Sequence, residues 1–369
     1  MPAPCLGDRG WCRSVFRGAL GNGFPAARFR QAWRGMMRLE LHRALIPVGN
    51  GGLALAIGNF DGVHRGHQAI LLATCAAARE YALTPAVMSF EPLPREYFAR
   101  AGQGSPAAPV RLMSLTEKLA AFANAGMQHV FVPRFDAVFA SQSPDDFIAR
   151  LVAMRVRWLM VGEDFRFGKR RTGDVATLRG TGRQSGFTVE TIADFEEQGQ
   201  RVSSTGVRDA LAAGAITTAA AMLGRDYAIT GRVQHGRKLG RTLGFPTANI
   251  ALGPSARQSN PALTGVFAVK CRLVTRGLEG VAGKFGTILN GVANLGTNPV
   301  VSSENRHHLE VFLFDFSGDL YGQRLEVAFI EKIRDEQKFS SLDALVVQMH
   351  DDTQKAKNLL RMNEDGPES

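Results

Sequence analysis

Cysteine is scarce in this chain. Only Cys5, Cys12, Cys75 and Cys271 occur in 369 residues, with no CxxC pair and no Cys/His spacing suited to zinc. A disulfide scaffold is thereby excluded, and a reducing, cytoplasmic setting is the simplest reading. Long apolar runs are missing as well: nothing approaches the roughly 20 residues of a membrane-spanning helix. Acid is nearly absent from the start, where residues 1–43 hold eight Arg and no Lys against Asp8 and Glu40. That stretch supplies most of the net charge of +10, so the remainder is only mildly basic. Aromatic and basic residues do not interleave, which argues against nucleic acid as partner and for small anionic substrates. The length and composition suit two or three globular domains with proper cores.

What is present is concentrated in Ile57–His67, IGNFDGVHRGH. The preceding Leu53–Ile57 is an unbroken apolar run, as expected of a strand buried on both faces of a parallel sheet. Gln68–Tyr81 is rich in Ala and Leu and predicts a helix. His64 and His67, three apart at the helix start, can share one face beside unpaired backbone N–H groups and the positive end of the helix dipole. An anionic triphosphate would settle there. Gly58 and Gly62 allow close approach and turn conformations closed to other residues. A histidine pair alone would more often be packing than catalysis, but the whole string is far more specific.

From Leu53 onward strands and helices alternate. Thr84–Phe90, Gln128–Val132, Arg157–Val161 and Phe187–Thr191 predict further strands. Ser114 with Glu117 forms a capping box opening a helix, Ser143-Pro144 opens another, and Asp174–Gln184 is a third. The expectation is a doubly wound α/β domain with its ligand at the strand C-termini. Two strings stand at such positions: VGEDFRFGK (Val161–Lys169) and VSSTGVR (Val202–Arg208), the latter placing Arg208 near a helix start, where a cation is disfavoured unless an anion is bound. After residue 226 the pattern changes. Tyr227–Val233, Gly265–Leu273, Leu309–Phe316 and Arg324–Ile333 are β-rich, with Gly, Pro and Asn turns and a helix only at Leu342–Leu360. That predicts a small antiparallel β-barrel with a C-terminal helix. This half holds GRVQHGRKLGRTLGFPTAN (Gly231–Asn249), GVANLGTNP (Gly291–Pro299) and HLEVFLFDFSGDLYG (His308–Gly322).

GNFDGVHRGH resembles the HxGH signature of the nucleotidyltransferase superfamily, in the wording of the adenylyltransferase module of bacterial bifunctional riboflavin kinase/FAD synthetases. GRTLGFPTAN resembles the ATP-Mg²⁺ loop of riboflavin kinases, and the two signatures occur in that family's order. The resemblance implies that Gly58, Phe60, Asp61, Gly62, His64, Gly66, His67, Ser203, Ser204, Thr205 and Arg208 surround ATP, with His64, His67 and Arg208 taking part in catalysis. It implies that Phe90 and Pro92 of FEPLP, with Asp164, Phe165 and Phe167, lie towards the flavin. In the second half it implies a phosphate flap of Gly236, Lys238, Gly240 and Arg241, Mg²⁺ held by Thr247 and Asn249, a flavin contact at Asn294, and Glu310 as base. Val300 stands where the family usually has Thr, and Phe312 where it often has His; both put the kinase half at greater risk.

By this resemblance residues 46–214 are an FMN adenylyltransferase domain, 215–226 a linker and 227–369 a riboflavin kinase domain. Residues 1–45 read as a basic extension, its composition like that of an organellar transit peptide, with a disordered tail or upstream sequence of an over-long gene model, Met36 or Met37 being the natural start, as the favoured readings. The implied activity is phosphorylation of riboflavin to FMN by ATP, then adenylylation of FMN to FAD with release of pyrophosphate, both with Mg²⁺. FMN brings an ionised phosphate and needs no side-chain base, whereas riboflavin brings a hydroxyl of high pKa and benefits from one. The alternative is an FAD synthetase whose kinase module only binds flavin. A homo-oligomer, or transient contact with apo-flavoproteins, stays open.

Overall fold

The structure, a computed structural model, describes residues 39–102, 108–193, 195–197, 199–236, 244–252, 261–275, 284–297 and 307–362. Lys238, Gly240, Arg241, Val300 and the extension up to residue 38 lie outside the described residues. The first half is built on a six-stranded sheet: β1 (Glu40–His42), β2 (Leu53–Ile57), β3 (Thr84–Met88), β4 (His129–Phe131), β5 (Val156–Gly162) and β8 (Thr188–Ile192). Their order is β1-β4-β3-β2-β5-β8, and every pairing is parallel.

The apolar run Leu53–Ile57 explains the position of β2, whose five side chains are all buried. Each large one removed from water contributes about 1.5–3 kcal/mol, so this strand belongs inside. Because β3 follows on one flank and β5 on the other, the sheet changes winding direction at β2, and a crevice opens at its C-terminal end. Helix α1 (Arg65–Glu80) starts there and packs Ala69, Leu71, Thr74, Cys75, Ala77 and Ala78 inward.

Helices α2 (Pro94–Arg100), α3 (Leu115–Asn124), α4 (Ala137–Ala140), α5 (Pro144–Ala153) and α6 (Val175–Ser185) fill the connections. Both hydroxyl-capped starts form: Ser114 and Glu117 cap each other's backbone at α3, and Ser143 and Asp146 do so at α5. The shortest elements were not legible. The sheet begins at Glu40 rather than Leu53, because a three-residue edge strand offers too little alternation to be seen. Two small two-stranded pairs were also unforeseen: β6 (Arg166–Phe167) with β7 (Gly173–Asp174), and β9 (Glu196–Glu197) with β10 (Gln200–Arg201).

The second half is a closed barrel of β11 (Tyr227–Gln234), β12 (Thr247–Ile250), β13 (Gly265–Thr275), β14 (Lys284–Thr297), β15 (His307–Leu313) and β16 (Arg324–Arg334). All its pairings are antiparallel. Alternation decides the inside: Leu309, Val311 and Leu313 point in, and Leu325, Val327 and Phe329 join them. The sequence shows four of the six strands; β12 and β14 sit in motif segments whose Gly and Asn obscure the strand pattern. Helix α9 (Leu342–Met362) lays Ala356 and Leu360 against Ala268 and Phe314 on the barrel's outer surface.

Between the halves run α7 (Ser204–Ala212) and α8 (Ile216–Leu223). Val207, Leu211, Ile216, Ala219 and Leu223 share one hydrophobic cluster with Tyr227, Ile229 and the barrel interior. The Thr230 N–H also donates to Glu117 Oε1 at 2.7 Å. Residues 215–226 are thus packed in place rather than a free tether.

Candidate active sites

The loop from β2 to α1 is held in an unusual backbone. Gly62 has φ +85°, where a Cβ would also sit 2.8 Å from Leu112 Cδ1. Phe60 (φ 50°) and Val63 (φ 41°) are non-glycine residues in the same left-handed region. Such residues cost about 1–3 kcal/mol each and persist only where the surroundings over-determine them. Here they do. Phe60 is fully buried, edge-on to Phe122 at 5.4 Å. The buried Asp61 carboxylate accepts the N–H groups of Leu112 (3.1 Å) and Met113 (3.2 Å) and Arg208 Nη2 at 2.5 Å. Ser204 Oγ donates to the Asp61 carbonyl at 2.8 Å. The side chains of Phe60 and Asp61 therefore face the protein, shaping the loop, and the anion opposite Arg208 is Asp61. That pairing corrects the inference drawn from the helix dipole, which a buried carboxylate distant in sequence satisfies without any ligand.

His64 caps α1, its Nδ1 accepting the His67 N–H at 3.4 Å. A nitrogen that accepts leaves the ring proton on Nε2, so the donor nitrogen of the neutral His64 ring is Nε2. The two imidazoles stack at 3.7 Å and 20°. Burial, then the positive charges of Arg225 and Arg208, lower the His64 pKa to about 4. His67 is pushed well below its ordinary value by burial and by its neighbours His64, Lys118 and Arg225. At neutral pH both rings are uncharged donors in a basic setting, and an arriving phosphate would favour their protonated forms. Among the described residues His67 Nδ1 is a buried nitrogen with no hydrogen-bond partner, the kind of atom a ligand oxygen would satisfy.

Two basic residues escaped the sequence reading. Arg225 reaches back to donate to the carbonyls of Gly62 (2.6 Å) and Val63 (3.0 Å). Lys118 is buried and donates to the Asn59 carbonyl at 2.8 Å; burial lowers its pKa to about 8. Lys118 lies in an ordinary amphipathic helix and Arg225 after a helix-ending glycine, so only tertiary contact marks them. Of the hydroxyls, Ser203 caps α7 by accepting the Gly206 N–H at 3.1 Å, Ser204 ties α7 to the loop, and Thr205 is exposed.

The aromatic residues assigned to the flavin side join one line of rings. Phe90 meets Phe139 at 5.6 Å, Phe139 meets Phe147 at 6.3 Å, Phe147 meets Phe167 at 5.3 Å, and Phe167 stacks on Phe165 at 5.8 Å and 16°. Phe90 and Phe167 are buried, Phe165 and Pro92 are half-buried, and Asp164 is exposed. Phe139 and Phe147 carry no motif and went unnoticed.

On the barrel the register does the assembling. Glu310 of β15 lies opposite Asn249 of β12 on one side and Asn294 of β14 on the other. Directly opposed residues share a face, and Leu309 and Val311 occupy the inner one. The row Asn249–Glu310–Asn294 is therefore on the outer face, with Thr247, two residues before Asn249, on the same side. Gly236 touches this row: a Cβ there would lie 2.2 Å from Asn249 Nδ2, so a larger residue would displace that amide. Phe312 lies opposite Thr247 and packs edge-on to Phe245 at 5.1 Å. Thiol chemistry finds no support among the described cysteines, since burial raises the Cys75 pKa to about 11 and that of Cys271 further.

Two family models match the chain in succession, one described as FAD synthetase over residues 48–206 and one described as riboflavin kinase over residues 223–360. A Haemophilus influenzae protein named bifunctional riboflavin kinase/FMN adenylyltransferase is 46% identical over 308 residues, which is 83% of this chain and 94% of that one. The chain belongs to this family. An Escherichia coli K12 protein of the same name is 44% identical, covering 83% of this chain and 92% of its own length. A solved Streptococcus pneumoniae structure, described as a macrolide-efflux protein, matches with a TM-score of 0.70 and 26% identity over 87% of this chain and 99% of its own. The efflux description is that protein's own; among the described residues of this chain no helix is long and apolar enough to cross a membrane. For a bifunctional riboflavin kinase/FMN adenylyltransferase, the α/β half and the barrel are the two enzymatic modules.

Proposed function

We propose that this family member makes FMN from riboflavin and ATP at the barrel and FAD from FMN and ATP at the α/β half. In the second reaction an FMN phosphate oxygen attacks the α-phosphorus of ATP, a new P–O–P link forms, and pyrophosphate leaves with the electron pair of the broken bond. The nucleophile is already ionised, so alignment and charge neutralisation suffice. His64 and His67 serve as N–H donors to the transferring and leaving groups, while Arg225, Lys118 and the start of α1 make the surroundings positive and Arg208, paired with Asp61, holds the loop that presents the histidines. Phe165, at the accessible end of the ring line, offers a face for the isoalloxazine.

In the first reaction the riboflavin hydroxyl attacks the γ-phosphorus, its proton passes to Glu310, and ADP leaves. The observation that carries this reading is the outward row of Asn249, Glu310 and Asn294. It places a carboxylate between two amides that can orient substrate, which a module that merely binds flavin would not require. Thr247 and Asn249 fit a Mg²⁺ ion by their hard oxygen donors on one face, since Mg²⁺ takes few protein ligands besides phosphates and water. Bound there, it would supply neutralisation of ATP phosphate charge. A cytoplasmic setting, where ATP and soluble riboflavin meet, goes with this reading.

The test supplies the purified chain with riboflavin, ATP and Mg²⁺ and resolves products by chromatography. FMN followed by FAD is expected. If supplied FMN becomes FAD but riboflavin is left unchanged, the barrel is a binding module and the alternative holds.

A further inference from the structure

On the edge of the parallel sheet, two short strands bring together a donor set that the proposed reactions do not use. Alternation along β1 puts Glu40 and His42 on one face of the sheet. The parallel register sets Glu40 opposite His129 of β4, so all three share that face. His42 Nε2 lies 3.1 Å from His129 Nδ1, while Glu40 Oε2 lies 3.9 Å from the first and 3.6 Å from the second. Every pair of these ligand atoms is within 4.8 Å.

A tetrahedral ion with bonds of about 2.0–2.2 Å to each donor would need them roughly 3.3–3.5 Å apart. The observed triangle needs changes of only a few tenths of an ångström. The imidazoles are already oriented: His42 stacks on Phe131 at 5.0 Å and 27°, and both histidine side chains are 15% exposed. Glu40, at 56%, sits on the open side, where water can complete the coordination. Two imidazoles and one carboxylate suit zinc and its first-row neighbours, whereas Mg²⁺ prefers oxygen alone.

We propose that Glu40, His42 and His129 form a divalent transition-metal site of the zinc class that clips edge strand β1 to β4. β1 has three residues and one neighbouring strand, the kind of element that opens first. A metal bridging it to β4 would hold it closed. Glu40 and His42 precede the segment matched by the FAD synthetase model, and His129 lies within it.

The experiment titrates the metal-free full chain with Zn²⁺ by calorimetry, without nucleotide, and with Co²⁺ as a visible-absorption probe. Expected are one Zn²⁺ per chain lost in both His42→Ala and His129→Ala, with affinity falling at least about 10–100-fold, since even outer-shell changes cost that much. Zn²⁺ should also slow amide exchange in β1 of the parent only. The surface variant Glu40→Gln, which leaves the histidines in place, must weaken Zn²⁺ as well, and serves if a histidine variant fails to fold. No Zn²⁺ binding by the parent, or binding that survives in Glu40→Gln and in a folded histidine variant unchanged, would overturn the proposal.

Discussion

Around the loop entering α1 the chain gathers Arg208, Arg225, Lys118 and two histidines held uncharged, with Asp61 already bound to Arg208 and two backbone N–H groups. The outer row of the barrel instead carries a carboxylate between two amides. Both places are read as handling ATP and a flavin, so the substrate does not explain the contrast; the nucleophile does. A phosphate that arrives ionised needs positive surroundings and hydrogen-bond donors. A hydroxyl must lose a proton, and in the proposed reading Glu310 of the barrel row takes it.

The sharpest way to break this contrast is Glu310→Gln. Glutamine keeps the size and hydrogen bonding of glutamate but cannot take the proton, so FMN formation should fall by roughly two to four orders of magnitude. Conversion of supplied FMN to FAD should continue at the parent rate. One preparation assayed with each flavin decides it: undiminished FMN formation moves the base elsewhere, and joint loss of both reactions removes the division between the halves.

The reciprocal substitutions are His67→Ala and Arg208→Ala, expected to slow FAD formation by about two to three orders of magnitude, the usual effect of losing one positioned donor. FMN formation should persist. Arg208 needs a second readout, because its pairing with buried Asp61 means that removing it leaves an unpaired carboxylate, which costs about 3–5 kcal/mol. Among the described residues His67 has no such partner on Nδ1. FAD synthesis should therefore fall in His67→Ala with a smaller loss of thermal stability than in Arg208→Ala, which should lower both strongly. Normal FAD synthesis in His67→Ala would remove the histidine from the mechanism.

These expectations show which part of the molecule could be read in advance. The central strand β2 was legible because five consecutive apolar residues leave few other positions for it, and the capping boxes of α3 and α5 because local chemistry alone defines them. Barrel strands β11, β15 and β16 showed themselves by alternation. What the sequence hid is what depends on distant residues. Asp61 looks like a ligand to ATP until Leu112, Met113 and Arg208 are seen around it. Arg225 and Lys118 bind the carbonyls of the motif loop from 162 and 59 positions away, and no local pattern distinguishes them from solvated cations. The row Asn249–Glu310–Asn294 is a product of strand register, which motif strings do not encode.

The electrostatic side of the contrast has its own signature in acid. The folded His64 pKa is near 4 against an ordinary value of 6.5, so between these values the unfolded chain binds the proton first. Stability from this group is therefore present above about pH 6.5 and lost as the pH falls towards 4, by at most about 3 kcal/mol. Urea unfolding of the parent and of His64→Gln at pH 7, 5.5 and 4.5 isolates the effect, because the carboxylates common to both cancel. The difference between the two proteins should shift in favour of His64→Gln on acidification. A constant difference would mean that the histidine is not held neutral, and the account of the α/β site as a cationic cradle of uncharged donors would fail with it.

The smallest effect concerns the flavin side of that cradle. Phe165 stacks on Phe167 and is only half-buried, so truncating it should leave the core intact, unlike Phe167, which is 6% exposed. An aromatic contact is worth about 0.5–1.5 kcal/mol beyond simple burial. Phe165→Ala should accordingly raise KM for FMN in the adenylylation reaction about 2- to 10-fold, with kcat nearly unchanged. Riboflavin phosphorylation should not change at all, since the barrel row is built from other residues. A selective rise in KM for FMN would assign the accessible end of the ring line to the isoalloxazine. A rise in KM for ATP would assign it to the adenine, and unchanged constants would leave Phe165 to packing, with the flavin seated elsewhere in the α/β half.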